Sequence, residues 1–250
     1  MVNILIYGIG GKMGHMVYNA LSQRDDAKAI CGVDKKYDGR GIYVPVYTDI
    51  KDVVEKVDCI IDFSVKAALY DILPYAVKKS IPCVLATTGY DQAENDYIAE
   101  NAKKIPIFRT GNLSVGINAL VKLVEKAASL IGEQADIEIL ESHHNQKIDS
   151  PSGTALMLLD GVKTVRPQLE PVYGRQGIIG KRTKNEVGIH AIRGGSIVGK
   201  HEVQFIMDNE VITLSHEAES KAVFANGSIN AAVFLQGKPA GLYTMNDVIK

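Results

Sequence analysis

Residues 2–14 read VNILIYGIGGKMG: an apolar run that turns directly into glycines at positions 8, 10, 11 and 14. A strand that feeds such a turn and then opens a helix is the setting of a nucleotide-binding fold, because glycine lets the backbone approach a pyrophosphate and a helix start aims N–H groups at it. The spacing is G-x-x-G-x-x-G over Gly8, Gly11 and Gly14, with Met13 where the strict G-x-G-x-x-G pattern sets its third glycine. By itself the turn is a weak match, because a tight strand-to-helix connection without a ligand also uses such glycines. Asp34 shifts the balance: it closes the next apolar run twenty residues after Gly14, where an acid can bond both hydroxyls of an adenosine ribose. Lys12, Lys35 and Lys36 could neutralise a 2′-phosphate that Asp34 would repel, so both NADH and NADPH are expected to be tolerated, with the direction of preference open.

Outward from this turn, short apolar runs alternate with amphipathic segments as far as about Arg109. Ile4-Leu5-Ile6, Cys59-Ile60-Ile61 and Cys83-Val84-Leu85 lack two-residue alternation, as strands covered on both faces do. The first part is therefore expected to be a Rossmann-like, doubly wound parallel sheet, with helices over residues 65–78 and 92–103. Asp62-Phe63-Ser64 and Thr87-Thr88-Gly89 end two of the runs in small polar residues, where ligands of open parallel sheets sit.

A longer helical pattern over residues 114–131 and a strand over 136–141 follow. Residues 166–184 read as a long loop. Three strands, over 186–193, 196–207 and 210–215, look joined by tight turns at Gly194-Gly195 and Asp208-Asn209, which predicts an α+β part with a mainly antiparallel sheet. A helix over 221–236 and the tail GLYTMNDVIK are read as returning to the first domain. The expected division is a dinucleotide-binding domain of residues 1–113 completed by 222–250, and a substrate-binding and oligomerisation domain of residues 114–221.

With 250 residues, 46% hydrophobic and 23% charged, the chain can bury one large or two modest cores. A formal charge of −1 leaves no overall electrostatic footprint for nucleic acid or an anionic membrane. No apolar run approaches the ~18 residues of a membrane span, and the opening MVNILIY lacks a basic leader. Cys31, Cys59 and Cys83 fit reduced core thiols. A cytoplasmic protein is expected.

One segment fits neither core nor surface requirements: ESHHNQKIDSPSGTA, residues 141–155. A helix starting at Ser152 would present the backbone donors of Gly153 and Thr154 to an anion, and Gly153 removes a side chain from its path. Helix-end attraction contributes only ~0.3–1 kcal/mol when exposed. A lysine ammonium at ~4 Å adds roughly 4 kcal/mol at an effective dielectric of ~20, and Lys147 is the candidate. Adjacent histidines on an extended chain project to opposite sides, so His143 and His144 do not chelate one metal; a proton donor or anion partner is the better reading, and no metal is expected.

At these residues the chain resembles the 4-hydroxy-tetrahydrodipicolinate reductase (dihydrodipicolinate reductase) family, whose hallmark is approximately E-x-H-H-x-x-K-x-D-x-P-S-G-T-A. The likeness extends to G-x-x-G-x-M-G at the start, Asp62-Phe63-Ser64, Thr87-Thr88-Gly89, residues 112–118, Arg193-Gly194-Gly195 and Gly199-Lys200-His201. The resemblance implies His143 as proton donor, Lys147 as second donor and carboxylate partner, and substrate contacts from His144, Ser152, Gly153 and Thr154. It implies a cofactor site lined by Gly8, Ile9, Gly10, Gly11, Lys12, Met13, Asp34, Lys35, Ala86, Thr87, Thr88, Thr110, Gly111, Asn112 and Leu113. The reaction implied is NADH- or NADPH-dependent reduction of a cyclic hydroxy-imine dicarboxylate with loss of water, in diaminopimelate and lysine biosynthesis, by a homotetramer built through the antiparallel sheet. Hydride donor and ring must meet, so a closable cleft between the domains is expected. Two residues depart from the family pattern: Ala86 where a glycine is usual, and Lys221 where an arginine is common. His190, His201 and His216 are expected to have structural or interface roles.

Overall fold

Along β1 (Val2–Tyr7) the side chains alternate between two cores, Ile4 and Ile6 on one face, Leu5 and Tyr7 on the other. Both faces are dry, which is why the sequence shows an unbroken apolar run rather than alternation. The computed structural model describes residues 1–249. They divide into two units: Met1–Leu113 with the segment from Lys221 onward, and Ser114–Ser220.

In the first unit β1 is followed by α1 (Lys12–Leu21), β2 (Ala27–Val33), β3 (Val46–Tyr47), β4 (Cys59–Asp62), α2 (Leu69–Lys79), β5 (Cys83–Leu85), α3 (Gln92–Ala102) and β6 (Pro106–Arg109). The second unit comprises α4 (Val115–Ile131), β7 (Asp136–His143), α5 (Gly153–Lys163), β8 (Glu170–Tyr173), β9 (Glu186–Arg193), β10 (Gly199–Met207) and β11 (Glu210–Ala218). The chain then returns to the first unit with α6 (Ala222–Phe234), β12 (Gly241–Tyr243) and α7 (Met245–Val248).

The first sheet has seven strands in the order β12-β6-β5-β4-β1-β2-β3, all parallel. The order reverses between β1 and β4, so the crevice at their carboxyl ends is the place where a ligand sits in such sheets. One core joins α2 and α3 to Leu5, Ile60, Cys83, Leu85 and Ile107; the other joins α1 and α6 to Ile4, Ile6, Ile61, Val84 and Phe108. α2 begins after a 3-10 turn at Lys66–Ala68 and stops where Ser80 takes the left-handed conformation, φ 56°. α3 starts on a capping box, with Asp91 accepting from the Glu94 N–H and Glu94 accepting from the Asp91 N–H. All three cysteines are buried free thiols, and burial pushes each of their pKa values up.

The second sheet runs β11-β10-β7-β9-β8, with α4 and α5 packed on one face. The pairings of β10 with β11 and with β7 are antiparallel, whereas β9 pairs parallel with β7 and β8. The Gly194-Gly195 turn is consequently not a hairpin: β9 and β10 run in opposite senses but β7 lies between them. The expected loop over residues 166–184 also contains a short strand, β8. No helix of the described residues is long and apolar enough to cross a membrane.

On the open face of this sheet Glu138 lies over Gly188 of the neighbouring strand, where a Cβ would meet its carboxylate at 1.8 Å. Arg175 makes a bidentate pair with Glu138 at 3.0 and 3.0 Å, Arg182 adds a bond at 3.2 Å, and His190 one at 2.7 Å. These bonds pin the segment after β8 to β7. Burial opposes ionisation of Glu138, yet the bonds from Arg175, His190 and Arg182 bring its pKa from 4.5 down to about 2. A depressed folded-state pKa contributes stability above the ordinary value that is lost as pH falls through the folded one. Thermal melts of the wild type should therefore lose stability as pH drops from about 4.5 towards 2, and Glu138→Gln should start less stable at neutral pH and show a flatter acid limb. Parallel acid limbs in the two proteins would remove this assignment.

Candidate active site

In the first unit the glycine turn sits at the crevice between β1 and β4. Gly8 has φ 82°, and a Cβ there would lie 2.7 Å from the Phe63 carbonyl oxygen, so both the turn and the close approach of β4 require glycine. Gly14 is more constrained: its Cβ would fall 2.1 Å from the Gly8 oxygen and 2.6 Å from Ile9 Cα. It therefore supplies the close helix–strand contact that the strict pattern assigns to its third glycine, one residue later. α1 begins at Gly11 with no capping side chain, which leaves its first turn suited to an anion.

Asp34 stands at the end of β2 with Oδ2 accepting from the Gly10 N–H at 2.9 Å and Oδ1 from the Lys36 N–H at 2.8 Å. A groove of about 460 Å³ lies beside it, bordered by Gly8, Gly11, Asp34, Lys35, Ser64 and Asp71. The Lys35 ammonium lies 3.5 Å from Asp71. A second groove is lined by Met13, Ala86, Thr88, residues 110–113, Lys221 and Phe224. Glycines at the turn, an uncapped helix start, and an acid at the end of β2 fit a dinucleotide.

In the second unit β7 sends Ile137 and Ile139 into the core beneath α4 and α5; two and four residues further on, the same face carries Glu141 and His143. Both are buried, Glu141 to 1% and His143 to 8% exposure. Glu141 accepts four hydrogen bonds from three residues. Its Oε2 accepts from His143 Nδ1 at 2.5 Å and Arg193 Nη1 at 2.8 Å, and its Oε1 from Arg193 Nη2 at 2.8 Å and the Ser152 N–H at 3.1 Å. Burial works against the carboxylate, but the bonds from Arg193 and His143 hold its pKa below the usual range. Burial lowers the pKa of His143, with Glu141 acting in the opposite direction.

The segment after β7 turns through a bond from the Lys147 N–H to the His144 carbonyl and reaches a cis Ser150–Pro151 peptide. Ser152 caps α5 by accepting from the Ala155 N–H at 3.1 Å, and its hydroxyl also meets His201 Nε2 at 3.0 Å. The ring of His201 lies edge-on to His143 at 5.1 Å. Burial, then the neighbouring His143, takes its pKa down to about 4, so it stays neutral. His216, paired across the ladder from His201, approaches Ser114 Oγ at the start of α4. Lys147 Nζ sits 2.8 Å from both oxygens of Asp149 and holds that carboxyl below its ordinary range.

Residues 2–113 match the family model described as dihydrodipicolinate reductase, N-terminus, and residues 116–249 the model described as dihydrodipicolinate reductase, C-terminus. The chain belongs to the dihydrodipicolinate reductase family. It is 47% identical to a 4-hydroxy-tetrahydrodipicolinate reductase of Caldanaerobacter subterraneus subsp. tengcongensis, with 100% of this chain and 99% of the relative covered. A reductase of the same name from Clostridium tetani is 44% identical, over 98% of this chain and 96% of the relative. The fold is shared with a dipicolinate-bound dihydrodipicolinate reductase from Paenisporosarcina sp. TG-14, at TM-score 0.79 and 22% identity, covering 98% of this chain and 99% of that one.

Within this reductase, Gly8, Gly11, Asp34 and Lys35 meet at one groove, and Met13, Ala86, Thr88 and Thr110, Gly111, Asn112 and Leu113 at the other. Gly10 acts through its N–H on Asp34, while Lys12 is exposed at the first position of α1. Ile9 is fully buried, so its side chain belongs to the core and only its backbone is left for a ligand. Thr87 donates its hydroxyl to buried Asp62 at 2.8 Å, and Ser64 bonds the same carboxylate, so these polar strand ends brace β4 against β5. The hydroxyl and N–H of Ser152, expected at the substrate, are both engaged inside the protein. Gly153 faces open space where a Cβ would stand, and the buried Nδ1 of His144 has no partner among the described residues. In the sequence Arg193 stands in a motif with no role attached, Asp71 carries no signal, and His201 and His216 are expected in structural or interface roles.

Proposed function

We infer that this chain carries the activity of its family: NADH- or NADPH-dependent reduction of 4-hydroxy-tetrahydrodipicolinate to tetrahydrodipicolinate with loss of water, in diaminopimelate and lysine biosynthesis. The observation that carries the assignment of the site is the buried Glu141–His143 pair beside the Ser152-capped start of α5, a proton donor next to a place for an anion.

A bound NADH or NADPH supplies the hydride. The residues that would hold it are Gly8, Gly10 and Gly11 at the pyrophosphate, Asp34 at the adenosine ribose, and Met13, Ala86, Thr88 and residues 110–113 along the second groove. Lys35, Lys36 and Lys12 offer cations to a 2′-phosphate, although Lys35 is shared with Asp71. In the second unit Gly153 and Thr154 receive one substrate carboxylate, and Lys147 leaves Asp149 to pair with it. Asp149 is 61% exposed in its side chain, so that exchange returns its carboxylate to water at low cost. His144 contributes a further hydrogen bond, and His143 gives a proton from Nε2 to the cyclic imine skeleton. Each turnover consumes one hydride and one proton and releases one water.

A cytoplasmic homotetramer completes this reading by analogy with the family. Ile192 and Val211, exposed at 51% and 55% on the open face of the second sheet, are consistent with a subunit contact there. Purified protein mixed with enzymatically generated substrate is expected to oxidise NADH, NADPH or both. Failure to oxidise either nucleotide would overturn the assignment.

A further inference from the structure

The four bonds to Glu141 have a consequence beyond holding the fold. An ionised carboxylate can only accept, so the His143 nitrogen that faces it must carry a proton. Neutral His143 is thereby confined to the Nδ1–H tautomer. Its Nε2 is bordered by Gly199, where a Cβ would come within 3.1 Å of that nitrogen; the residue beside the free nitrogen has no side chain to cover it. The other oxygen of Glu141 takes the Ser152 N–H at the start of α5, and Arg193 Nη2 reaches on to the Asp149 carbonyl at 2.8 Å. One carboxylate thus touches both the imidazole and the segment that opens the anion-binding helix.

We propose that Glu141, clamped by Arg193, is the positioning residue of this reductase: through one oxygen it fixes which nitrogen of His143 gives the proton, and through the other it sets the start of α5 in register with that nitrogen. The inference rests on His143 being the proton donor. In the step itself the Nε2–H bond of the imidazolium breaks, the proton passes to substrate, the electron pair stays on Nε2, and the ring returns to the Nδ1–H form already paired with Glu141. Solvent restores the proton after product leaves. The charged and titratable groups facing the ring are Glu141 on its own strand, Lys147 in the following turn, Arg193 at the end of β9 and His201 on β10, with His216 behind His201. Glu141 alone among them favours the imidazolium.

Glu141→Gln separates the two functions of the carboxylate. The amide oxygen can keep the Ser152 N–H and Arg193 Nη2, while the amide NH2 gives up the Arg193 Nη1 bond, turns a donor towards His143 Nδ1 and selects the opposite tautomer. Expected results are a kcat at least tenfold lower, a KM within about threefold of wild type, and the limb of kcat/KM that needs protonated His143 displaced to lower pH. Glu141→Ala, which frees the start of α5 as well, should raise KM in addition. Nitrogen-15 spectra of histidine-labelled protein should show neutral His143 protonated on Nδ1 in the wild type and on Nε2 in Glu141→Gln. A wild-type His143 protonated on Nε2, or a Glu141→Gln enzyme with unchanged kcat and pH profile, overturns the proposal. The wild-type spectrum decides it even if both variants unfold. If His143→Ala is fully active, the donor assignment itself fails; if that variant is crippled while Glu141→Gln is normal, only the positioning role does.

Discussion

Replacing His143 by alanine is expected to lower kcat by about 10²- to 10⁴-fold, the range a positioned acid contributes, and to leave NADH affinity at its wild-type value. The split follows from where the residues sit. His143 belongs to the second unit, at the end of β7, whereas the glycine turn, Asp34 and the 110–113 segment belong to the first. Truncation leaves Glu141 with Arg193 and the Ser152 N–H, so the carboxylate keeps three of its four bonds and the fold is expected to survive. Steady-state kinetics give the kcat, titration followed by the fluorescence of NADH gives the affinity, and a melt controls for unfolding. A variant with near-normal kcat would remove His143 from the chemistry. A variant with weakened NADH binding would mean that its effect is not confined to the proton.

Gly14→Ala should be the most damaging single-methyl change at the cofactor turn. The added Cβ meets the Gly8 oxygen at 2.1 Å and Ile9 atoms at 2.6 and 2.8 Å, all of them backbone, so no side chain can swing aside. Overpacking of this kind costs about 1–3 kcal/mol, and more where backbone must move. Relief requires α1 to shift away from the end of β1, which displaces the helix start proposed to meet the pyrophosphate. NADH affinity should fall at least tenfold, roughly 1.4 kcal/mol, together with a lower Tm. Gly11→Ala is the control for the fold, because its Cβ would meet only the Gly8 oxygen, at 3.3 Å. Equal melting temperatures for Gly14→Ala and Gly11→Ala would contradict the steric account.

Gly14 also illustrates what a sequence can convey. The strand–turn–helix at residues 2–21 and the buried strands of the first sheet were legible because each is a local pattern of apolar residues bounded by turn residues. Which glycine performs which task was not, since the answer depends on how closely α1 approaches the end of β1. Strand order in the second sheet was hidden for a related reason. Gly194-Gly195 marks a reversal between β9 and β10, but nothing near it announces that β7, some fifty residues earlier, lies between them. With β7 in that place, Arg193 reaches Glu141 and His201 falls opposite it, so one long-range pairing decides both the sheet and the surroundings of His143. The hallmark segment itself was readable as chemistry, because Lys147, His143 and the helix start at Ser152 are close along the chain. Their supporting residues come from distant strands, and alternation alone could have set His201 on the core face but not beside Ser152.

The return of the chain to its first unit also bears on how the protein is made. α6 buries Ala225, Ile229, Ala231 and Ala232 against the sheet, and β12 extends that sheet at its β6 edge. Residues 1–113 leave the ribosome first, yet the face of their sheet that α1 shares with α6 is only partly covered until residues 222–249 have been translated. Residues 114–220 form one uninterrupted stretch and can complete their own core earlier. Assembly is thus expected to run in the reverse of synthesis order, with the nucleotide-binding half waiting in an open state for its final helix.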